Sequence, residues 1–195
     1  YFCYGGHMST DRRIKYTKMV LKESLIKLLR EKPISRITIK ELCEHADINR
    51  ATFYSHYTDQ FDLLKKIELE FIADINSYLD SFTLEAGETN LMQMILKIFE
   101  YVEQNSELCR VLLGGNGNID FQTKVMQIVS ERVILEWQKN KDLDETTAEY
   151  IYTYAANGSI GVVRKWLTDT NHRSPREMAE LVTRLVNKGI EMFIV

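Results

Sequence analysis

Aromatic, hydroxyl, imidazole and guanidinium side chains are crowded into nine residues, Asn49 to Tyr57, with the sequence NRATFYSHY. This stretch holds three aromatic residues, one arginine and one histidine in a chain that is 10% aromatic overall. An ordinary amphipathic helix surrounds its apolar stripe with Lys and Glu. Here the stripe is flanked by hydroxyls, an imidazole and a guanidinium instead, which indicates that the exposed face contacts something other than water.

Charge is distributed unevenly between the first quarter of the chain and the rest. Residues 9–57 contain 11 Lys and Arg against 6 Asp and Glu, whereas residues 58–195 contain 14 against 22, within an overall net charge of -3. This asymmetry predicts a segment that binds a polyanion, joined to a body that does not. The alternative is that the exposed Lys and Arg side chains form only a solvated face.

Two short helices are predicted to position the nine-residue stretch. The segment from Thr38 to Glu41 has the form of a capping box, which predicts a helix from there to about Ala46. The next residues, 47–49, form a tight turn, and the Asn49 side chain caps a second helix of about nine residues. Two helices of this length joined by a three-residue turn have the spacing of a helix-turn-helix.

The second short helix divides its side chains between packing and contact with DNA. Phe53 and Tyr57 lie four residues apart and are expected to pack on one face. An arginine can donate two hydrogen bonds to guanine, and an alanine can approach a thymine methyl group, whereas hydroxyls and imidazoles suit phosphate oxygens. The predicted contacts are Arg50, Ala51 and Tyr54 to bases, and Thr52, Ser55 and His56 to phosphates. Taken singly, His56 is more typical of a surface or structural histidine and Tyr54 of packing, but their joint placement favours the interface.

The run from Ile37 to Leu64, ITIKELCEHADINRATFYSHYTDQFDLL, closely resembles the DNA-binding signature of the TetR family of bacterial transcriptional regulators. Its TFYSHY segment, followed by a helix with an acidic cap, is highly specific. By position, the resemblance implies the same base and phosphate contacts and adds Lys40 to the phosphate contacts.

Three positions depart from the family pattern. Asp47 stands where the family usually has Gly, which is tolerable because Asp adopts the left-handed region more easily than most residues. Gln60 stands where a Lys often opens the fourth helix, so the resemblance implies a weaker phosphate contact there. Cys43 replaces a small Ala, which favours a buried structural thiol over a reactive one.

The whole chain is predicted to be all-α, with an N-terminal three-helix DNA-binding domain and a C-terminal helical domain. It has only two prolines, and its apolar residues recur every three to four positions. We expect residues 1–8 to be a tag remnant, 9–58 the DNA-binding domain and 59–195 the effector-binding and dimerisation domain. Predicted helices cover about residues 12–30, 39–46, 49–57, 59–80, 91–104, 107–113, 121–139 and 146–168, separated in part by loops at 85–90 and 114–118. A last helix begins at Ser174-Pro175-Arg176-Glu177.

A second resemblance covers Tyr150 to Leu185, which looks like the C-terminal domain of a TetR subgroup frequent in Gram-positive bacteria. In that family the last two helices pair with their copies in a dimeric four-helix bundle, so the resemblance implies a homodimer. The small residues from Ala155 to Gly161 support it because they let helices approach closely, at a cost of about 1 kcal/mol per glycine in helix propensity. The alternative is that Gly158 and Gly161 mark only a kink or tight packing inside one subunit.

The family also implies a small-molecule pocket in the body. The side chains of the middle helices that could line it are Phe99, Tyr101, Met126, Trp137, Tyr150 and Tyr154. An aromatic or Met stripe at this spacing is, however, more often plain core than a cavity lining.

Other classes of protein find little support in the sequence. Its three cysteines lack CxxC spacing and histidine partners, which indicates neither a disulfide framework nor a zinc site and fits a reducing cytoplasm. It has no catalytic triad, phosphate loop or Glu-x-x-His pair, so we expect no enzyme, metal or cofactor. No apolar run approaches the length of a membrane span, and we expect no membrane partner.

The sequence therefore predicts a dimeric, sequence-specific regulator that binds a double-stranded DNA operator, with a repressor released by a small-molecule effector as the favoured form. An activator or co-regulator with the same DNA-binding segment remains open. So does a helical protein-interaction module without specific DNA binding.

Overall fold

The computed structural model of the chain describes residues 7–80, 88–114, 117–138, 145–171 and 173–191, in some cases, such as Trp137, by the backbone alone. Within these ranges the regular elements are all helical, which confirms the predicted fold class. They are α1 (His7–Glu31), α2 (Ile39–Ala46), α3 (Arg50–Tyr54), α4 (Gln60–Asp80), α5 (Glu88–Gln104), α6 (Ser106–Leu112), α7 (Ile119–Gln138), α8 (Glu145–Thr168) and α9 (Pro175–Glu191), with a short 3-10 helix at Ile34–Arg36.

Helices form two compact units, which divide between Phe71 and Ile72. The first unit contains α1 to α3 and the start of α4, and the second contains the end of α4 and α5 to α9. The predicted boundary after residue 58 concerns function rather than packing, and it stays a prediction. The predicted tag remnant and the loop at 85–90 lie outside the described residues, apart from residues 7, 8 and 88–90, which are helical.

The first unit is built around the apolar stripe of α1. Leu21 and Leu25 are fully buried, and Leu28 and Leu29 nearly so, where α1 packs against α2. The helix ends at Glu31, two residues before Pro33, because proline has no N–H for the helical ladder and restricts the residue before it. Next to this end Lys32 pairs with Glu41 of α2, and this pairing is the main reason that the pKa of Glu41 is lowered.

In the second unit, α5 packs against α9, while α6 and α7 pack against α8. The rings of Phe99 on α5 and Trp166 on α8 meet edge to face, with centroids 5.1 Å apart. The Trp166 indole N–H donates to the carbonyl of Arg173, 2.7 Å away, so the core side chain also fixes the approach to α9.

Two arginines cap the ends of each other's helices in this unit. Arg110 Nε on α6 donates to the Leu167 carbonyl near the end of α8, at 2.8 Å. Arg164 Nε on α8 donates to the Leu113 carbonyl just after α6, at 2.6 Å. The last carbonyls of a helix lack intrahelical partners, so each guanidinium supplies a donor that the other helix needs.

The start of α9 confirms the predicted capping box. The Ser174 hydroxyl accepts from the Glu177 N–H at 3.3 Å, and the Glu177 carboxylate accepts from the Ser174 N–H at 2.8 Å. Hydrogen bonds from Ser174 lower the pKa of Glu177. Pro175 occupies the first helical position, where its missing N–H costs nothing.

Candidate nucleic-acid interface

Helix α2, which precedes the turn to α3, is capped at both of its ends. Thr38 Oγ1 accepts from the Glu41 N–H at 3.2 Å and begins α2 as predicted. At the other end Asp47 adopts the left-handed conformation, with φ 52° and ψ 44°. The N–H of Ile48 then reaches the Cys43 carbonyl at 2.9 Å, which is the pattern of a Schellman motif. Asp47 therefore occupies the conformation in which glycine is usual.

Helix α3 is shorter than predicted, with five residues, Arg50–Tyr54, instead of about nine. Asn49 caps it as expected, since its Oδ1 accepts from the Ala51 N–H at 2.8 Å. The helix stops because the His56 N–H turns to the Phe53 carbonyl three residues back, at 2.9 Å, which tightens the chain into a turn. Ser55 and His56 consequently lie in this turn rather than on the helix.

The two faces of α3 separate packing from exposed side chains, as the sequence predicts. Phe53 is fully buried and Tyr57 nearly so, with ring centroids 5.7 Å apart. Arg50 and Ala51 are exposed, and Tyr54 keeps 56% of its surface exposed while its ring edge contacts Phe53. Positions i, i+1 and i+4 lie on one side of a helix, so the structure brings the three predicted base-contacting residues together.

The residues predicted to contact phosphates differ in their exposure and in the bonds that they already make. Lys40 is exposed, and its Nζ lies 3.8 Å from Glu44 of the same helix. Thr52 and His56 are half-buried, and Ser55 is exposed. The Ser55 hydroxyl already donates to the Thr52 carbonyl at 2.7 Å, so a bond from this hydroxyl to phosphate would replace an internal one.

Helix α4 begins with two carboxylates at its N-terminus. Asp59 Oδ1 accepts from the Asp62 N–H at 2.8 Å, and Asp62 Oδ2 accepts from the Thr58 N–H at 3.0 Å. The bond from Thr58, followed by that from Lys66, lowers the pKa of Asp62. Gln60 is half-buried between these acids. A phosphate close to Gln60 would therefore meet negative charge as well as helix N–H groups.

Two further residues of α4, outside the predicted contacts, also border this region. Phe61, in the first turn, is 49% exposed. Lys66 donates to the His56 carbonyl and to the Asp62 carboxylate, each at 3.0 Å. The spacing of Asp62 and Lys66 predicts an ion pair on one helix, but the bond to His56 depends on the path of the turn, which no local pattern reveals.

The residues predicted to line an effector pocket divide into buried and exposed groups. Phe99 and Tyr101 are buried, and Tyr101 packs against Tyr78 with centroids 5.5 Å apart. Met126 is half-buried, whereas Tyr150 and Tyr154 are 75% and 81% exposed. The Trp137 side chain lies outside the described part of the chain. A cavity lined by all six residues stays a prediction.

Cysteine chemistry and metal binding contribute no site in the described ranges. Cys43 and Cys109 are free and buried, and burial raises the pKa of both thiols, that of Cys109 to about 12. Such thiols are poor nucleophiles at neutral pH. Among the described residues, no group of His, Cys, Asp or Glu is arranged to hold a metal ion, and no helix is long and apolar enough to cross a membrane.

Comparison with known proteins places these features in a family. Residues 89–188 match the family model described as transcriptional regulator C-terminal region. The chain is 21% identical over 175 residues to the uncharacterized HTH-type transcriptional regulator YxbF of Bacillus subtilis (strain 168). The matched part covers 86% of this chain but only 44% of that relative's length.

Solved structures extend the similarity to nearly the whole chain. A TetR transcriptional regulator from Streptococcus agalactiae 2603V is 22% identical, with a TM-score of 0.66 over 92% of this chain and 98% of that one. The transcriptional regulator FadR from Bacillus subtilis, solved in complex with stearoyl-CoA, is 15% identical, with a TM-score of 0.68 over 88% of this chain and 98% of that one. At these identities the similarity establishes a common fold.

Proposed function

The chain belongs to the TetR family of transcriptional regulators, and from that membership we propose that it is a homodimeric, sequence-specific DNA-binding repressor that a small molecule releases. The relatives that it matches are transcriptional regulators rather than enzymes. The proposal includes three partners, which are a DNA operator, a second copy of the chain and a small-molecule effector.

The exposed face of α3 is the observation that carries the DNA-binding function. Arg50, Ala51 and Tyr54 project from one side of a helix whose other side is fixed by the buried Phe53. A recognition helix needs this combination, because its N-terminal residues must reach base edges while the helix itself stays rigid. The surrounding positive charge of residues 9–57 would supply the sequence-independent attraction to phosphates.

The dimer is supported by a stripe along α8 that has no partner among the described residues of the subunit. Tyr150 and Tyr154 are largely exposed, and Gly158 and Gly161 follow on the same side of the helix. A Cβ atom added at either glycine would meet nothing within 4 Å in the described part beyond the backbone of its own helix. Tight packing inside one subunit therefore does not explain these glycines in the described part. Large apolar groups beside small ones suit the close approach of a second helix.

The effector is proposed to be a molecule with a long apolar portion. The second unit contains buried aromatic side chains such as Phe99 and Tyr101. The fold neighbour FadR is seen with stearoyl-CoA, which makes fatty acyl-CoA thioesters the first compounds to test here.

Selection from a random double-stranded DNA library with the purified chain tests the proposal. We expect one enriched motif with two-fold symmetry, because α3 alone contacts too few bases for useful affinity. The double variant Arg50→Ala, Tyr54→Ala is the matched control and should enrich nothing. A helical protein-interaction module would give no enriched motif with either protein. Once the motif is known, release of the labelled operator by acyl-CoA compounds, against free coenzyme A as control, tests the effector.

A further inference from the structure

We propose that Lys66 is a positioning residue of the DNA interface: it holds the turn of residues 55–58 in the conformation that presents Ser55 and His56, and it does not itself contact DNA. The inference deepens the proposed DNA-binding function and rests on it.

Three groups converge on the Lys66 ammonium. It donates to the His56 carbonyl at 3.0 Å and to Asp62 Oδ2 at 3.0 Å. It also lies 4.8 Å from the centroid of the Tyr57 ring, within the range of a cation–π contact. An ammonium group has three N–H donors, so two of them are already directed at the protein.

These contacts fix three consecutive residues of the turn. The carbonyl of His56 and the ring of Tyr57 contact the ammonium directly. The Asp62 carboxylate that accepts from Lys66 also accepts from the Thr58 N–H at 3.0 Å, so the cation holds the next residue indirectly. A carbonyl, a ring and an amide of three consecutive residues are thus tied to one side chain of helix α4. Without the cation, the polar groups of the turn lose their shared partner.

The neighbouring Lys65 provides a matched control. It is exposed, one residue away, and the described structure gives it no hydrogen bond to the turn. Lys65→Met and Lys66→Met remove the same charge from nearly the same place. A general electrostatic contribution to DNA binding would affect both variants alike, whereas positioning of the turn would affect chiefly Lys66→Met, because Lys65 acts on Asp62 through its charge alone.

Lys66→Arg provides the rescue. Arginine keeps the charge, donates to a carbonyl and a carboxylate together, and stacks on aromatic rings. The Lys66 side chain borders a cavity of about 260 Å³ that Tyr57 and Leu63 also line, which gives the larger guanidinium room.

Fluorescence anisotropy with the selected operator at several salt concentrations measures the effect. We expect Lys66→Met to bind about threefold to tenfold more weakly, a modest loss because the ion pair is partly solvated. Its slope of log K against log salt should equal that of the wild type, and Lys66→Arg should restore affinity. A slope lower by about 0.9 for Lys66→Met would identify a phosphate contact instead and overturn the proposal. If Lys66→Met bound the operator with unchanged affinity but had lower thermal stability, Lys66 would have only a structural role. That result would also overturn the proposal.

Amide hydrogen exchange of the free proteins separates this inference from the proposed function. Lys66→Met should speed exchange at Thr58 relative to both the wild type and Lys65→Met, because the carboxylate that accepts from this N–H loses its partner. Equal exchange in the three proteins would overturn the proposal, whether or not the protein binds DNA. Absence of DNA binding by the wild type would overturn the proposed function and, with it, the role of Lys66 at a DNA interface.

Discussion

Among single residues, the hydrogen bonds already made within the chain distinguish those free to meet DNA from those that hold the backbone in place. Arg50 and Tyr54 are exposed on α3, whereas Asn49 and Asp62 spend their side-chain oxygens on backbone N–H groups. Asn49 and Asp62 therefore shape the surface that Arg50 and Tyr54 present.

Base reading and phosphate contact should give different binding signatures at Arg50 and Lys40. Arg50→Ala should cost about 1–3 kcal/mol with the preferred base pair and relax the preference at that position. Lys40→Ala should weaken all sequences alike and reduce the salt slope by about one unit. Anisotropy titrations over a panel of operators with single base-pair changes check both results. Uniform losses for both variants would exclude Arg50 from base reading.

A substitution at Gln60 tests whether the phosphate contact of the family's usual Lys applies at this position. Gln60→Lys should tighten operator and nonspecific DNA alike and steepen the dependence of log K on log salt by about 0.9, because the new cation displaces a counterion. The neighbouring Asp59 and Asp62 compete for that cation. Titrations at four salt concentrations measure the slope. The ratio of operator to nonspecific affinity should stay unchanged and serves as the internal control. An unaltered slope would show that position 60 does not face a phosphate.

The sequence predicted which residues of the interface are exposed but not how their polar groups are used. The shared exposed side of Arg50, Ala51 and Tyr54 follows from helical spacing, which is a local property of the sequence. The internal bond of the Ser55 hydroxyl and the contact of Lys66 with His56 depend on the exact course of the turn. Such contacts between separate elements leave no periodic trace in a sequence.

Among the elements, the left-handed Asp47 is the residue on which the turn between α2 and α3 depends. An L side chain in this region places Cβ too close to the following carbonyl. Asp47→Gly and Asp47→Ala remove the same charge, but only glycine removes Cβ. We expect Asp47→Gly to be more stable than Asp47→Ala by about 1 kcal/mol. Urea unfolding followed by circular dichroism measures the difference, and equal midpoints would mean that the turn is not strained.

Three capped helix starts were predicted correctly, whereas the end of α3 was not. Thr38, Asn49 and Ser174 are caps whose partners lie two or three residues away, so the sequence contains the whole interaction. The end of α3 is different, because the chain tightens after Tyr54 and the cap of α4 begins at Asp59. Phe53 and Tyr57 keep a helical spacing of four residues across the end of α3, and this is why the predicted helix was too long.

For the whole molecule, the proposed dimer makes a prediction at Gly161. Gly161→Arg should give a folded monomer, because Gly161 is exposed and a Cβ atom added there would meet nothing within 4 Å in the described part beyond the backbone of its own helix. DNA binding should be lost together with the dimer. Light scattering and operator titration check both, with Gln93→Arg, at an exposed position on α5, as control. A dimeric Gly161→Arg protein would place the interface elsewhere.

The brevity of α3 also limits how much information one subunit can extract from a genome. Five residues, with three side chains on the exposed side, can specify about three base pairs, or roughly six bits. A sequence of three base pairs recurs by chance about once every 64 positions, while a chromosome offers on the order of a million or more competing positions. A single subunit would thus find thousands of equivalent sites. In the proposed dimer, the remaining sequence information comes from the second subunit's site, held at a fixed distance, and from the shape of the duplex between the two sites.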